Sequence, residues 1–247
     1  MSQSYGTNRL LAPLARVFVA VALALGLGGQ ALAAPIVSWD LANATGQDAA
    51  VLATALHVSA TSIDEVGVGQ WTSTAQDGFI AASGWGSSAL SHDPSKYYEW
   101  SVSADAGYEV TYETFDVALF RGIWGGGHGA QLWDLRASTD GFVGSDLALG
   151  TFDISASAAD AQTTFSGHDI SGLGTQGGTV TFRLHGYDQS QAGDYSGLGN
   201  DSGWLISGTG LDPVISGSVA PAAVPEPPPV LLAGLGLLGL LVGGTRR

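Results

Sequence analysis

Short segments in which apolar and polar residues alternate run through the middle of this 247-residue chain. In the clearest of them, Tyr98, Trp100 and Val102 are separated by the polar residues Glu99 and Ser101. Because successive side chains of a β-strand point to opposite faces, a period of two indicates a strand with one buried face. Clusters of Gly, Asp and Ser separate the segments, as turns require. The pattern predicts an antiparallel all-β domain.

The same alternation predicts further strands and one irregularity. Strands are predicted at 98–103, 108–113, 115–119, 133–138 and 180–185, and also at 36–41, 78–82, 147–154 and 204–210. The parity of the apolar residues changes between Tyr112 and Phe115, which predicts a bulge or bend. Only the Ala- and Leu-rich segment 48–57 is predicted as helix. About ten strands in a domain of this size favour one β-sandwich, jelly-roll-like in form.

The central region, residues 35–223, is strongly acidic. All of the 22 Asp and Glu residues except Glu226 lie in it, and its basic residues are Lys96, Arg121, Arg136 and Arg183, so its net charge is −17. Such a field repels nucleic acid, anionic lipid and acidic polysaccharide. We therefore expect no nucleic-acid partner. The chain has no Cys, so the fold depends on its core, and thiolate metal sites and Cys nucleophiles are excluded.

The first 34 residues are predicted to be a signal peptide. Two arginines precede an apolar run at 17–27, and the small residues Ala31 and Ala33 fit the pattern that signal peptidase reads. We expect the mature chain to begin near Ala34 or Pro35. The alternative is an uncleaved membrane anchor, but the apolar run is shorter than the ~20 residues of a spanning helix.

Residues 221–247 are predicted to form a membrane anchor preceded by a stiff peptide. The motif residues are Val224, Pro225, Glu226 and Pro227. Two further prolines follow and keep the chain extended, and an apolar run at 230–242 can span a bilayer with local thinning. Under the positive-inside rule the final Arg246 and Arg247 stay in the cytoplasm, which places the central domain outside.

This tail resembles the PEP-CTERM sorting signal in its Val-Pro-Glu-Pro motif, glycine-rich hydrophobic helix and basic end, although the basic end has only two arginines. The resemblance implies processing at the Pro-Glu-Pro region by an exosortase, a transpeptidase-like integral membrane enzyme. It also implies a Gram-negative host that makes exopolysaccharide, with the protein anchored in the inner membrane before delivery to the cell surface or biofilm matrix. The alternative is a plain tail anchor with an accidental proline motif.

About half of the domain at residues 35–220 also resembles ectodomains that are common among PEP-CTERM proteins. The segments that carry this second resemblance are 97–100, 107–110, 135–142 and 180–184. It implies a jelly-roll architecture and brings no established activity with it.

No catalytic motif is evident in the sequence. The five histidines, which we expect in loops or at the surface, show no ligand spacing; they are His57, His92, His128, His168 and His185. Gly-x-Ser-x-Gly and phosphate-loop motifs do not occur. A Gly-x-Gly-x-x-Gly match at 172–177 leads into a predicted strand instead of a helix, and no pair of acids is singled out for glycoside hydrolysis. We expect a protein without catalytic residues.

A structural calcium ion is one candidate ligand. Asp77 and Asp140 each precede Gly-Phe, and Asp146 follows closely after the second of these motifs. Jelly rolls often hold calcium with loop carboxylates and carbonyls. The alternative is an ordinary Asp-Gly turn that leads into a strand.

Four further residues are candidates for ligand contact. Trp85 and Trp124 are surrounded by glycines, so they are candidates for stacking on sugar rings, with burial in the core as the alternative. Arg136 and Arg183 occupy polar positions in the middle of predicted strands. They are expected to pair with acids across the strands, or alternatively to recognise an anionic ligand on an open face.

Two functions follow from these observations. The first is a non-catalytic structural or adhesive surface protein, with its tail processed by an exosortase and a link to exopolysaccharide. The second is a carbohydrate-binding module that uses exposed Trp side chains, with structural calcium as an option. No other cofactor is expected.

Overall fold

The computed structural model describes residues 33–44, 48–70, 78–87, 90–122, 128–158, 161–191, 193–200 and 211–223. These residues form an all-β structure with antiparallel strand pairing, and the only helical element among them is a single 3₁₀ turn at Ser171–Leu173. The strands are β1 (Ala34–Asp40), β2 (Asp48–Thr54), β3 (Val58–Ala60), β4 (Ile63–Val66), β5 (Gly69–Gln70), β6 (Phe79–Ser83), β7 (Tyr97–Ala104), β8 (Tyr108–Arg121), β9 (Leu132–Ser138), β10 (Leu147–Asp153), β11 (Gln162–Asp169), β12 (Thr175–Gln176), β13 (Thr179–Tyr187), β14 (Ser196–Gly199) and β15 (Val214–Pro221).

One group of strands is organised around β8, the longest strand described. One edge of β8 pairs with β15 and, further along, with β14, while its other edge pairs with β11 and β12. β15 continues to β1 and then β2, and β14 continues to β6 and β5. β8 is thus the strand through which this group is connected.

A second group of strands has the order β10, β9, β13, β7. The free edge of β7 pairs with β3 and β4 at its two ends. β2 joins the two groups, because it pairs with β1 along most of its length and with β4 at its start. All described strands therefore belong to one hydrogen-bonded network.

The core contains side chains from both groups of strands, and its largest members are aromatic. Trp100 of β7 stacks on Phe182 of the neighbouring β13, with ring centroids 5.6 Å apart. From the other group, Phe115 of β8 and Trp39 of β1 approach the same indole at 5.7 and 5.8 Å. Aromatic pairs at such separations contribute about 0.5–1.5 kcal/mol each beyond the area they bury. Trp100 thus links both groups of strands.

The predicted change of parity in β8 is confirmed. Val110 and Tyr112 are buried before it, and Phe115, Val117 and Leu119 are buried after it. The register with β15 shifts at the same place, because Gly217 lies opposite Tyr112 whereas Ser216 lies opposite Thr114. The extra residue between them, Glu113, forms the bulge that turns the next apolar residues to the core.

The prediction of a helix at 48–57 is wrong. Residues 48–54 form β2, and Val51 and Thr54 pair with β1 while Ala49 is fully buried. Helix propensity differs among ordinary residues by no more than about 0.7 kcal/mol each, and the strand pairing and burial outweigh it here. The remaining predicted strands lie within a residue or two of the observed ones, except 204–210, which falls outside the described residues.

The chain enters and leaves the domain at the same end. Ala34, at the start of β1, pairs with Gly217 of β15. After β15, the backbone N–H of Ala222 donates to the carbonyl of Gly107, in the turn between β7 and β8, at 2.8 Å. The predicted signal helix and transmembrane helix lie outside the described residues, apart from Ala33 and Ala34.

Gly217 is a position where a side chain has no space. A Cβ there would lie 2.0 Å from the carbonyl oxygen of Thr111 and 2.8 Å from Cδ1 of Ile36. Gly217→Ala is therefore expected to lower the free energy of unfolding by about 1–3 kcal/mol, because backbone atoms must shift to relieve the clash. Chemical denaturation measures this, with the exposed neighbour Ser218→Ala as the control. Equal stability of the two variants would contradict the packing described for β15.

Candidate functional site

The outward face of the second group of strands carries a concentration of charged and ring side chains. In the cross-strand register, Glu99 of β7 lies opposite Arg183 of β13, and Arg183 lies opposite Arg136 of β9. The alternation that sends Trp100 and Phe182 into the core turns these three residues outward. The site is therefore positioned by the same strand pairing that forms the core.

Carboxylates compensate the two adjacent arginines. Arg183 donates from Nε to Oε2 of Glu99 at 2.7 Å. Arg136 donates from Nη1 to Oδ2 of Asp134 at 3.1 Å and from Nε to Asp146. The hydrogen bond from Arg136 holds the pKa of Asp146 below its usual value, and the same contact raises the pKa of Arg136. The expected cross-strand pairing is found for Arg183, whereas Arg136 pairs with Asp134 of its own strand and with Asp146 just before β10.

The Arg183 guanidinium is enclosed between two aromatic rings. Its central carbon lies 4.0 Å from the ring centroid of Tyr97 and 4.1 Å from that of Phe142. Phe142 has a φ of +65°, a left-handed conformation that is costly for a bulky side chain. This backbone conformation directs the ring onto Arg183, and the two rings hold the guanidinium plane in a fixed orientation.

The loop that carries Phe142 is organised by Asp140. Its carboxylate accepts a hydrogen bond from Oγ of Ser138 at 2.6 Å and from three backbone N–H groups, those of Val143, Gly144 and Ser145. These bonds lower the pKa of Asp140, that from Ser138 most. The arrangement is the Asp-Gly turn that was the alternative to calcium binding.

Two histidines stand beside the arginines. The ring centroids of His92 and His185 are 4.1 Å apart. Nδ1 of His185 lies 3.0 Å from the carbonyl oxygen of Lys96, and Nδ1 of His92 lies 3.1 Å from Oδ2 of Asp134. Burial, and to a lesser extent the neighbouring His92, lower the pKa of His185 to about 4. His185 is therefore neutral at pH 7.

These groups line a polar recess of about 220 Å³. Its lining residues are His92, Pro94, Phe142, Val143, Gly144, Ser145, Asp146, Arg183 and His185. A second recess, of about 410 Å³ and mainly apolar, lies at the end where the chain enters and leaves the domain, beside Ala34, Leu56, Tyr108 and Val219.

The structure brings together four of the residues singled out in the sequence, Arg136, Arg183, Asp140 and Asp146. Asp77 and Trp124 lie outside the described residues, as do Ala31, the motif Val224, Pro225, Glu226 and Pro227, and the terminal Arg246 and Arg247. Ala33 precedes β1, and Ala34 begins it.

Of the two environments considered for Trp85, sugar contact and burial in the core, the structure has the second. Trp85 is buried, packs against Tyr98 and Trp133, and donates from Nε1 to the carbonyl of Ala82 at 2.8 Å. Gly186 makes room for the indole, because a Cβ at that position would lie 2.9 Å from Trp85. The other tryptophans in the described residues, Trp39, Trp100 and Trp133, are buried too.

Calcium binding stays a prediction. Within the part of the chain that is described, no three His, Asp or Glu side chains are arranged to hold a metal ion. Oδ2 of Asp146 accepts a hydrogen bond from Arg136, and the carboxylate of Asp140 accepts hydrogen bonds within its own loop.

Sequence reasoning missed His92, His185, Tyr97 and Phe142 as members of this site. His185 was expected in a loop or at the surface, but it lies in β13 and is buried. It shares the outward parity of Arg183 two residues earlier, so the alternation contained a signal for it. His92 and Phe142 lie outside strands, where no periodicity could have located them.

A buried carboxyl group, Glu65 of β4, lies apart from the recess. Both of its carboxyl oxygens are shielded from solvent, and the neighbouring Tyr98 hydroxyl offsets only part of the effect of this burial on the pKa. Burial, reinforced by the nearby Asp48, raises the pKa of Glu65 to about 9. The group is therefore protonated at neutral pH.

Comparisons of the chain with protein-family models, with curated proteins and with solved structures gave no significant match. Among the described residues no helix has the length and apolar character needed to cross a membrane.

Glu65→Gln tests the raised pKa of this carboxyl. The pKa of Glu65 is about 9 in the folded state, against 4.5 for the ordinary group. The folded state therefore has its full stability below pH 4.5, where Glu65 is protonated in both states, and it loses stability as the pH rises towards 9, because only the unfolded state releases the proton readily. Gln does not ionise, so the melting temperature of the variant, relative to the parent, should rise between pH 4.5 and 9. At pH 8 we expect the melting temperature of Glu65→Gln to exceed that of the parent by more than about 3 °C, which is equivalent to roughly 1 kcal/mol.

The matched control for this test is Asp64→Asn, at the exposed position next to Glu65 in β4. Its melting temperature should follow that of the parent at each pH in the same window. Parallel curves for Glu65→Gln and the parent would contradict a buried, protonated Glu65.

Proposed function

We propose that this chain is an exported cell-surface or extracellular-matrix protein with a non-catalytic structural or adhesive domain. In this proposal the domain is a jelly-roll-like β-sandwich, and the packing of Trp100 against Phe115 and Trp39 of the other strand group supports that architecture. The segments on either side of the domain serve export and sorting, as the sequence predicts.

The observation that carries the proposal is the position of the two chain connections. Ala34 pairs with Gly217, and Ala222 is hydrogen-bonded to Gly107, so the connections to both hydrophobic segments lie at one end of the domain. A domain attached to a membrane by either segment would therefore have that end towards the membrane. The arrangement suits the display of a folded domain from an anchor.

The polar recess lies away from that end. Thr179 of β13 pairs with Ser103, close to the turn at Gly107, whereas Arg183 and His185 lie four and six residues further along the strand. With a rise of about 3.3 Å per residue, they are about 13 and 20 Å further along it. A domain held at its connected end would thus present the recess to the surroundings.

The tail supplies the sorting part of the proposal. Val224, Pro225, Glu226 and Pro227 would be recognised by an exosortase after the C-terminal helix has anchored the chain in the inner membrane. Removal of the helix and of Arg246 and Arg247 would then release the domain to the cell surface or the matrix, in association with exopolysaccharide.

Mass spectrometry of the surface-exposed protein tests this proposal in a host that has an exosortase. We expect peptides of the β domain in the surface or matrix fraction, and a C-terminus that ends within or close to the motif. The matched control is Glu226→Ala, which should stay uncleaved in the membrane fraction. Surface-exposed protein that still ends at Arg247 would contradict cleavage of the tail by an exosortase.

A further inference from the structure

We propose that the polar recess beside β13 is a binding site for a single carboxylate group on a small ligand, with Arg183 as the residue that binds it. The inference does not depend on the sorting of the chain. It is carried by the geometry of Arg183, the local charge, and the size of the recess.

Arg183 is held so that part of its guanidinium remains available. Nε donates to Glu99, and this is the only hydrogen bond that the side chain makes to the described residues. The two Nη nitrogens of a guanidinium form a planar pair that matches the two oxygens of a carboxylate. Because Tyr97 and Phe142 already fix the guanidinium plane, little conformational entropy is lost when a ligand binds.

Half of the few basic groups of this acidic domain are concentrated at the recess, although each is also paired with a carboxylate. Two of the four basic residues of the −17 central region lie there: Arg183 lines the recess, and Arg136 lies directly opposite Arg183 on β9. The nearby carboxylate of Asp146 is bound to Arg136, which reduces its repulsion of an incoming anion. The other two bases point elsewhere: Lys96 donates to the carbonyl of Gly84, and Arg121 donates to the carbonyl of Ser157 and to Gln131.

The size and surroundings of the recess restrict the ligand further. Its 220 Å³ is smaller than the roughly 300–1,000 Å³ of sites for drug-sized molecules, so a ligand of about one sugar ring is expected. His92 and Ser145 line the same recess and offer hydrogen-bonding groups to hydroxyls beside the carboxylate. The acidic field of the domain opposes a polyanion more than a single carboxylate, so we assign a monoanion.

Isothermal titration of the full-length chain with D-glucuronate, D-glucose and acetate tests the proposal. Glucuronate should bind. Acetate should displace it but bind with lower affinity than glucuronate, and glucose, which lacks the carboxylate, should give no saturable heat. Glucose binding as tightly as glucuronate, no competition by acetate, or no glucuronate binding would each overturn the assignment.

Arg183→Lys keeps the charge but removes the planar pair of donors, so it should weaken glucuronate binding about tenfold, the equivalent of one charged hydrogen bond. Arg121→Lys, the same exchange away from the recess, should leave the affinity unchanged. Equal affinities for the two variants would contradict the role of Arg183.

A second pair of variants avoids any change in the ion pairs. Val143 is 89% exposed at the edge of the recess, and Leu56 is 79% exposed near the other end of the domain. Val143→Asp places a repelling charge beside the site and should weaken glucuronate binding at low ionic strength, whereas Leu56→Asp should not. If both variants bind as the parent does, the ligand is not an anion in this recess.

Discussion

Strand β13 is paired on both edges, with β7 and β9, and the rest of the domain depends on this double pairing. On its inner side the register places Phe182 against Trp100, where the two groups of strands meet. On its outer side the same register places Arg183 between Glu99 and Arg136. A slip of one residue would exchange the two faces and put the charged row in the core, so the core and the recess have the same origin.

The acidic composition makes the few basic groups informative. Two arginines lie directly opposite each other on neighbouring strands, an arrangement that is unfavourable unless carboxylates separate their charges. Glu99, Asp134 and Asp146 do so here. Such partly exposed ion pairs contribute about 0–1 kcal/mol each to stability, so their main effect is to fix where each guanidinium points.

Burial shifts the pKa values of two groups in opposite directions: it lowers the pKa of His185 and raises that of Glu65. His185 is held neutral beneath the segment that contains His92 and Lys96, and Glu65 is held protonated on the core side of β4. In both cases the uncharged form is the one compatible with the surroundings, because neither group has an ion-pair partner of its own that replaces water. The interior of the domain thus excludes charge even though its surface carries a large excess of it.

The sequence by itself determined the all-β class, most strand positions, the bulge in β8, and the outward placement of Arg136 and Arg183, because the alternation of side chains is a local property of the chain. It predicted the wrong structure for 48–57, where helix propensity was weaker than pairing with β1 and β4. It left the environment of Trp85 open, and the space at Gly186 decides it in favour of the core. Only the tertiary structure could place His92, Tyr97 and Phe142 around Arg183. His92 and Tyr97 belong to one segment and Phe142 to another, and both segments are far from Arg183 in the chain. The register of β7 and β9 with β13, together with the turn built by Asp140, brings them to Arg183.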